Sequence, residues 1–376
     1  MDVAEVPVGV DDPLNAAILR VSEDRVSGFV RDPFGAIALA SGVDVETVMG
    51  RIKAMLKAGT IRRVRQTLLA TNLAHGALVA WQIAPERLDA AFDFMFREDP
   101  FSGHVVVRTA DPATPGSRYR LWTTLKVPQG YSLEKHAEHL RAAVGAERFQ
   151  LMPAKRLFTL GVGHVRRRAL EPGSRSEQLA DVLDTRIVEL SAAEWHVLAA
   201  LKREFAADEL ERDLWRRRAA EANVSLERFY AVAESLHARG VIGRFSTFLE
   251  HVKATAGNQP VTRYNALFHW QVAPGREIAA GREVGRHHIM THAYWREGGP
   301  EFRSVNVMGV AHGLDKALLL AHKAAIDQHL SEAGIEIGYT NVFWGGRSEI
   351  KPSEISPLAF AEFYRLRGVD PEELRA

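Results

Sequence analysis

A strand-like segment occurs twice in this chain, and this repetition constrains the fold more than any other feature. ALVAWQIAPER occupies residues 77–87, and ALFHWQVAPGR occupies residues 266–276. Each copy alternates apolar residues and ends in Ala-Pro, the pattern of a strand that enters a turn. The sequence therefore predicts a duplicated module, with one copy in each half of the chain.

The segments around this strand are repeated as well. Upstream, LKAGTIRRV matches HARGVIGRF, and both are typical of a helix that ends at Gly before a strand begins. Downstream, GHVVVR matches THAYWR, so that His104 and Arg108 in the first half correspond to His292 and Arg296 in the second. Residues four apart on a strand share a face, and we therefore expect each His to point the same way as its Arg.

Length and composition favour a soluble globular protein with several domains. The 376 residues are too many for one ordinary core, and 46% apolar with 25% charged residues are ordinary values. The 48 basic and 47 acidic side chains give a formal net charge of +1, which provides no strong field for nucleic acid. The absence of cysteine excludes disulfides and thiolate metal sites. Because no apolar run has the length of a membrane span and the acidic start is unlike a signal peptide, we expect a cytoplasmic protein.

Each half begins with a pattern typical of a winged helix-turn-helix. Apolar residues recur at helical spacing over 12–27 and 45–57, a short helix is expected at 33–40, and a strand follows at 60–69. The same plan recurs over 191–248, where the middle helix is rich in Arg.

After each winged helix, the pattern predicts a strand, a helix, two strands, a helix and a strand. This β-α-β-β-α-β order is ferredoxin-like, and we expect its open antiparallel sheet to pair one copy with the other. The predicted fold class is α+β, a tandem duplication of winged helix-turn-helix plus ferredoxin-like domain that forms an intramolecular pseudo-dimer. The predicted boundaries are 12–70 and 185–250 for the winged helices, 71–165 and 260–345 for the ferredoxin-like domains, 166–184 for a linker, and 346–376 for a C-terminal tail with a helix at 357–367.

This plan resembles the Lrp/AsnC regulators, and LASGVDVETVMGRIKAMLKAGTIRRV is similar to their helix-turn-helix signature. A narrower resemblance is to the siroheme decarboxylase branch. Its typical motifs SHCYRR and YNLFTMIHG are similar to THAYWR and VNVMGVAHG in the second half, and its IRRIG is similar to IRRV in the first half. Asn306 and His312 fall on the Asn and His of the second motif. In the first half, Val106 stands at the Tyr position, and YRLWTTLKVPQGY has neither that Asn nor that His.

The resemblance implies an enzyme that removes carboxyl groups from acetate side chains of siroheme, on the way to heme or heme d1, and this branch includes fused two-copy subunits. It implies an iron tetrapyrrole, siroheme or heme, as substrate or ligand, and no further cofactor for decarboxylation. A polyacid of this kind requires guanidinium groups that hold carboxylates in bidentate fashion. The predicted substrate-binding residues are Arg63, Arg108, Arg120, Arg244, Arg296, Arg303 and Asn306.

Loss of CO2 from an acetate leaves electron density that a proton must quench, and histidine is the natural acid near neutral pH. We therefore predict His292 as the acid, with Tyr294 orienting substrate or water, and His104 as a second catalytic candidate. Neutral imidazole is also a normal axial ligand of heme iron. His312 is the candidate iron ligand, although His104 is an alternative for that role, and spacing does not decide between them.

Two other functions are compatible with the same features. A tetrapyrrole carrier or sensor would use the arginines and a His ligand but needs no acid. A DNA-binding regulator would present polar and basic side chains at the start of its recognition helix. Here that position carries Asp44 and Glu46, with Glu227 in the second copy, and carboxylates repel phosphate. We therefore expect a tetrapyrrole as partner rather than DNA, and a pseudo-dimer that could also form a further homodimer.

Overall fold

The computed structural model describes residues 6–160, 170–184, 187–250 and 263–376. These residues form a mixed α+β fold, as predicted, and cluster into two compact units. Among them, the first unit takes residues up to Leu69 and from Val188 to Arg263, and the second takes Ala70–Leu160, Leu170–Ile187 and Tyr264–Ala376. The N-terminal parts of both halves thus share one unit, and the repeated strands share the other. No helix in the described part of the chain is long and apolar enough to cross a membrane.

The helices and strands are numbered along the chain. The helices are α1 Pro13–Ser22, α2 Pro33–Ser41, α3 Val45–Lys57, α4 Leu88–Arg97, α5 Leu133–Val144, α6 Ala192–Lys202, α7 Leu214–Glu221, α8 Leu226–Ala238, α9 Glu277–Arg286, α10 Lys316–Glu332 and α11 Pro357–Arg365. The strands are β1 Val26–Ser27, β2 Ile61–Leu68, β3 Ala74–Gln82, β4 Ser102–Ala110, β5 Tyr119–Pro128, β6 Arg148–Leu160, β7 Ile242–Leu249, β8 Tyr264–Val272, β9 Met290–Arg296, β10 Val307–Gly313 and β11 Ile337–Ile350.

The first unit consists of α1 to α3 and α6 to α8 with a small antiparallel sheet in the order β1-β7-β2. The strands β2 and β7, which follow the third helix of each half, pair with each other. Helix α1 ends at Ser22, earlier than the predicted residue 27, because Val26 and Ser27 pair with β7 instead. Phe34, Trp215 and Phe245 are fully buried, so that aromatic packing supplies much of this core.

In the second unit, each half contributes four strands and two helices in the order strand, helix, strand, strand, helix, strand. The strands of the first half are ordered β4-β5-β3-β6, and those of the second half are ordered β9-β10-β8-β11. Strand β6 pairs with β9, and β11 pairs with β4, so the eight strands close into one barrel. The expected pairing of one copy with the other is therefore present, and it closes the two open sheets into a barrel. Both edges of each half are paired, which leaves the barrel without an exposed edge.

Alternation along the strands separates an outer from an inner face of the barrel. Trp81 and Trp270, at matched positions in the repeat, are fully buried on the outer face with residues of the helices. The inner face holds a separate apolar cluster, which includes Val106, Trp122 and Phe343. The inner face is therefore the surface on which a polar side chain needs an explanation.

Residues after the second half pack back onto the first. The predicted tail helix is present as α11, and Phe360 and Tyr364 are buried in the outer cluster of the first half. Strand β11 continues to Ile350, beyond the predicted domain end at 345. Of the predicted linker, residues 166–169 lie outside the described residues, and the part that follows hydrogen-bonds to the second unit through the Ser176 N–H and the Arg286 carbonyl.

Candidate functional site

The inner face of the barrel carries both copies of the predicted His and Arg pair. His104 and Arg108 flank Val106 of the inner cluster on β4, and strand alternation gives the three residues the same face. His292 and Arg296 occupy the equivalent positions on β9. The prediction from spacing thus corresponds to two related sets of residues inside one barrel.

Arg108 is a buried cation without a carboxylate partner. Its side chain reaches into the second half, where Nη2 donates to Asn265 Oδ1 at 3.1 Å and Nη1 donates to the Phe343 carbonyl at 3.3 Å. Only 3% of the residue is exposed, and no ion pair joins it to any described carboxylate. Burial lowers the pKa of Arg108 to about 9, which still leaves the guanidinium protonated at neutral pH.

Arg296 makes the matching contact in the other direction. Its Nη1 donates to the carbonyl of Met152 in the first half, and 8% of the residue is exposed. The guanidinium carbon lies 4.4 Å from the ring centroid of Tyr294, and burial lowers the Arg296 pKa against the opposing influence of Tyr294. Arg296 also has no ion pair with a carboxylate among the described residues. Each half therefore contributes one buried guanidinium that donates to a backbone carbonyl of the other half.

The two predicted acids occupy different surroundings. His292 Nδ1 is hydrogen-bonded to the Thr291 carbonyl at 2.9 Å, and its ring centroid lies 5.9 Å from that of Tyr294. His104 Nε2 is within 2.8 Å of the Ser348 hydroxyl on β11. Burial raises the pKa of Tyr294, so its phenol is neutral at physiological pH.

The two residues of the VNVMGVAHG motif are separated in the structure. His312 on β10 is the cross-strand neighbour of Asn265 on β8. Asn265 is the residue that accepts a hydrogen bond from Arg108. Asn306 lies at the start of this strand, where its amide accepts from the Val272 N–H and donates to the Val272 carbonyl, both at 2.9 Å. The structure therefore brings His312 to the Arg108 set, whereas the Asn306 amide is occupied by backbone.

Two further predicted arginines belong to the second unit. Arg120 Nε donates to the Arg108 carbonyl at 2.9 Å. Arg303 is exposed, lies 5.1 Å from the Tyr339 ring centroid, and has a left-handed backbone with φ of 53°. This left-handed residue lies in the turn that follows the buried Phe302.

Arg63 and Arg244 belong to the first unit. Arg63, on β2, forms an ion pair with Glu204 at 3.2 Å, and burial lowers its pKa to about 10. Arg244, on β7, donates its backbone N–H to the Thr67 hydroxyl at 2.7 Å. These two arginines therefore belong to a different unit from the arginines of the barrel.

The sequence analysis missed three polar residues of the inner face, namely Lys126, Asn265 and His269. His269 is 1% exposed, and neither ring nitrogen has a hydrogen-bond partner among the described residues. Burial, with Arg108 and Lys323 as further causes, lowers its pKa to about 3. The signal was present in the repeat, because His269 replaces Ala80 in an otherwise apolar copy of the same strand.

This arrangement can hold anions. Two buried guanidiniums without carboxylate partners require negative charge from elsewhere if they are to be neutralised. The polar groups beside them are imidazoles, an amide and a phenol, which can exchange protons, accept hydrogen bonds or ligate a metal. The chemistry available is therefore recognition of carboxylates next to candidate acids.

Comparison with known proteins identifies a matching domain and a relative. The model of the AsnC-like ligand binding domain matches residues 73–159, the part that contains β3 to β6. The siroheme decarboxylase beta subunit of Methanosarcina barkeri is 26% identical over 149 residues, which cover 39% of this chain and 95% of that protein.

Solved structures agree with this fold. The crystal structure of the siroheme decarboxylase NirDL has a TM-score of 0.64 at 18% identity and covers 94% of this chain and 98% of its own. The same enzyme in complex with an iron-uroporphyrin III analogue gives the same score and identity, with 94% and 97% covered. The predicted resemblance is thereby confirmed: this chain contains an AsnC-like ligand-binding domain, has a siroheme decarboxylase subunit as a relative, and shares the fold of NirDL.

Proposed function

We propose that this protein is a decarboxylase of iron tetrapyrroles that bear acetate side chains, with siroheme as the substrate. The observation that carries this proposal is the pair Arg108 and Arg296, two buried guanidiniums that lack carboxylate partners among the described residues. Retaining such charges costs stability unless an anionic ligand offsets them. A siroheme carboxylate fits this requirement, because guanidinium matches its planar geometry. The relatives described above act on, or bind, compounds of this class by name.

The reaction requires one proton for each CO2 released. The bond between the methylene and carboxyl carbons breaks, its electron pair stays with the methylene carbon conjugated to the ring, and a proton converts that carbon to a methyl group. We assign His292 as the acid that delivers this proton, with Tyr294 beside it to orient substrate or water. His104, next to Ser348, is the second catalytic candidate.

Iron ligation is assigned to His312, since a neutral imidazole is a suitable axial ligand. Its cross-strand partner Asn265 binds Arg108, so an iron ligand and a carboxylate clamp would act on the same molecule. The iron belongs to the substrate, and the proposal requires no separate cofactor. The remaining proposed carboxylate-binding residues are Arg63, Arg120, Arg244 and Arg303, with Asn306 fixing the start of β10.

The finer description of the fold belongs to the same proposal. We interpret the chain as a tandem of winged helix-turn-helix and ferredoxin-like domains that acts as an intramolecular pseudo-dimer, with a further homodimer possible. The cross-half pairing of β2 with β7 and of β6 with β9 supports this interpretation. One chain would then replace two half-length subunits.

DNA binding is the less favoured function. Asp44 caps α3 by accepting from the Thr47 N–H at 2.9 Å. A hydrogen bond from the Thr47 side chain, and then this backbone one, lower the Asp44 pKa, so a carboxylate occupies the position where a recognition helix receives phosphate. A near-neutral chain also gains little from counterion release.

The decisive experiment is anaerobic incubation of the purified protein with siroheme, followed by mass spectrometry of the tetrapyrrole. We expect products lighter by one and two CO2 units. The variant His292→Ala should slow their formation by a factor of about 100 or more, within the usual contribution of a general acid, while binding measured by absorbance changes little.

His104→Ala is the matched variant, because it removes the equivalent imidazole from the first half. Equal loss in both variants would mean that both halves catalyse. Unchanged siroheme together with tight binding of heme would contradict the enzyme and favour a carrier. Retardation of promoter DNA at physiological salt would favour a regulator.

A further inference from the structure

Lys126 occupies in the first half the position that His312 occupies in the second. On β5, Trp122 pairs with Ala80, and on β10, Met308 pairs with His269. Ala80 and His269 are equivalent in the repeated strand. Lys126 lies four residues after Trp122, and His312 lies four residues after Met308. The lysine therefore stands on β5 at the position, and on the face, that the motif histidine has on β10.

The surroundings of Lys126 differ from those of an ordinary surface lysine. It pairs with Gly76 on β3, and a Cβ atom at Gly76 would lie 2.6 Å from the lysine Nζ, so the amine lies across this glycine. Strand β3 pairs with β6 through Ala77 and Pro153. The next residue of β6, Ala154, pairs with Arg296 on β9. Lys126 and Arg296 therefore flank Gly76 and Ala154 in one row of cross-strand neighbours.

The two side chains that flank Gly76 and Ala154 are both cations. Burial first, and the charge of Arg296 second, lower the pKa of Lys126 to about 7. Neither residue forms an ion pair with a carboxylate among the described residues. Two cations in one row of cross-strand neighbours, without a carboxylate partner among the described residues, favour the binding of an anion.

We propose that Lys126 and Arg296 form a carboxylate-binding site on the inner face of the barrel, on either side of Gly76 and Ala154. For a tetrapyrrole this site would hold one carboxylate side chain, an identification that rests on the proposed function. The guanidinium supplies two parallel donors, and the ammonium supplies a point charge. Lys126 is thus a binding residue whose equivalent in the second half, His312, is assigned to the iron.

The test follows the Lys126 amine directly. Lysines of the whole protein are labelled by reductive methylation with 13C-formaldehyde, and the signal of Lys126 is identified by its loss in Lys126→Arg. We expect this signal to titrate near pH 7 in the free protein. Two probes are then added separately, metal-free uroporphyrin III and mellitate, a small polycarboxylate that is not a tetrapyrrole. Each should raise the midpoint by about one unit or more, because a bound carboxylate favours the charged amine.

Three variants keep the interpretation specific. Arg296→Gln removes the neighbouring charge and should raise the midpoint in the free protein. Gly76→Ala should displace the amine and abolish the response to both probes, because only the flexible end of Lys126 stands in the way of the new methyl group. Gly346→Ala is its control, since a Cβ there meets only ordinary contacts and should leave the response unchanged.

The outcomes separate this site from the proposed function. If uroporphyrin binds by absorbance while neither probe moves the Lys126 midpoint, the site is overturned and the tetrapyrrole function stands. If mellitate moves the midpoint but uroporphyrin does not bind, the site stands and the tetrapyrrole function falls. Absence of both effects overturns both.

Discussion

The two arginine sites inside the barrel share their backbone geometry and differ in the side chains around it. Arg108 donates to the carbonyl of Phe343, and Arg296 donates to the carbonyl of Met152. Phe343 and Met152 are equivalent, because they pair with matching residues of the two repeated strands, β8 and β3. Arg108 also has a neutral acceptor in Asn265, whereas the corresponding residue of the first half is Gly76. Duplication thus retained the guanidinium and its carbonyl contact while the rest of each site diverged.

The difference has an electrostatic consequence. The Arg108 site combines one cation with an amide and, on the neighbouring strand, the imidazole of His312. The Arg296 site combines two cations with the phenol of Tyr294. A carboxylate should therefore be attracted more strongly to the Arg296 site, and the iron should be bound nearer the Arg108 site. For the proposed tetrapyrrole substrate, this asymmetry would specify one orientation, which a symmetric pair of sites would not.

The largest effect expected from this comparison is on ligand binding. Arg108→Met and Arg296→Met each remove a charge-assisted contact worth about 1.5–3 kcal/mol, which corresponds to roughly 10- to 100-fold weaker binding of iron uroporphyrin III. Arg296→Met should give the greater loss. Absorbance titration measures the affinity, and calorimetry of the ligand-free variants measures stability. The ligand-free variants should be as stable as the parent or more stable, because a buried unpaired charge has been removed. Strong destabilisation with unchanged binding would identify the arginines as structural.

A buried polar cluster elsewhere in the second unit provides the opposite case. The imidazole of His136 lies between the carboxylate of Asp99, at 3.5 Å, and the hydroxyl of Tyr364 on α11, to which its Nδ1 is hydrogen-bonded. All three side chains are fully buried. Tyr364→Phe should lower the free energy of unfolding by about 1–3 kcal/mol, because Nδ1 of His136 loses its buried partner. Urea denaturation measures this loss, and tetrapyrrole affinity should not change. A large change in affinity would mean that the barrel sites depend on the packing of α11.

Much of the fold was predictable because it depends on local pattern. Helix α3 was predicted with the bounds that it has. The closure of the barrel was not predicted. Hydrophobic alternation indicates that a strand has an inner face, but it does not indicate which strand lies beside it. The pairing of β4 with β11 joins residues more than two hundred positions apart.

The same limit applied to the candidate site. The His and Arg pairs were found from their recurrence, but each arginine binds groups of the opposite half, which the repeat alone does not predict. Lys126 was not predictable from the motif, because the motif has a His at the equivalent position. Only the pairing of Trp122 with Ala80 and of Met308 with His269 aligns Lys126 with His312.

The pH dependence of stability should differ between the two sites. Lys126 has a folded-state pKa of about 7 and an ordinary unfolded value of 10.5, so the unfolded chain binds more protons between these pH values. Its contribution to stability is therefore complete above pH 10.5 and is lost as the pH falls through 7. Lys126→Met should raise the melting temperature of the ligand-free protein most below pH 7, and the gain should disappear towards pH 10. A gain that is independent of pH would contradict a buried, titrating amine.

The smallest effect is expected at Asn265, the residue that distinguishes the Arg108 site from its counterpart. Its Oδ1 is 3.1 Å from Nη2 of Arg108, and the substitution Asn265→Ala leaves the backbone carbonyl of Phe343 as a remaining acceptor. The loss of one hydrogen bond should cost about 1 kcal/mol of unfolding free energy in the ligand-free protein. A bound carboxylate can replace the missing acceptor, so the cost should shrink when iron uroporphyrin III is present at saturation. Parallel denaturation curves with and without the ligand measure both values. Equal costs in the two states would mean that the carboxylate does not reach Arg108, and the asymmetry between the sites would then lie in Lys126 alone.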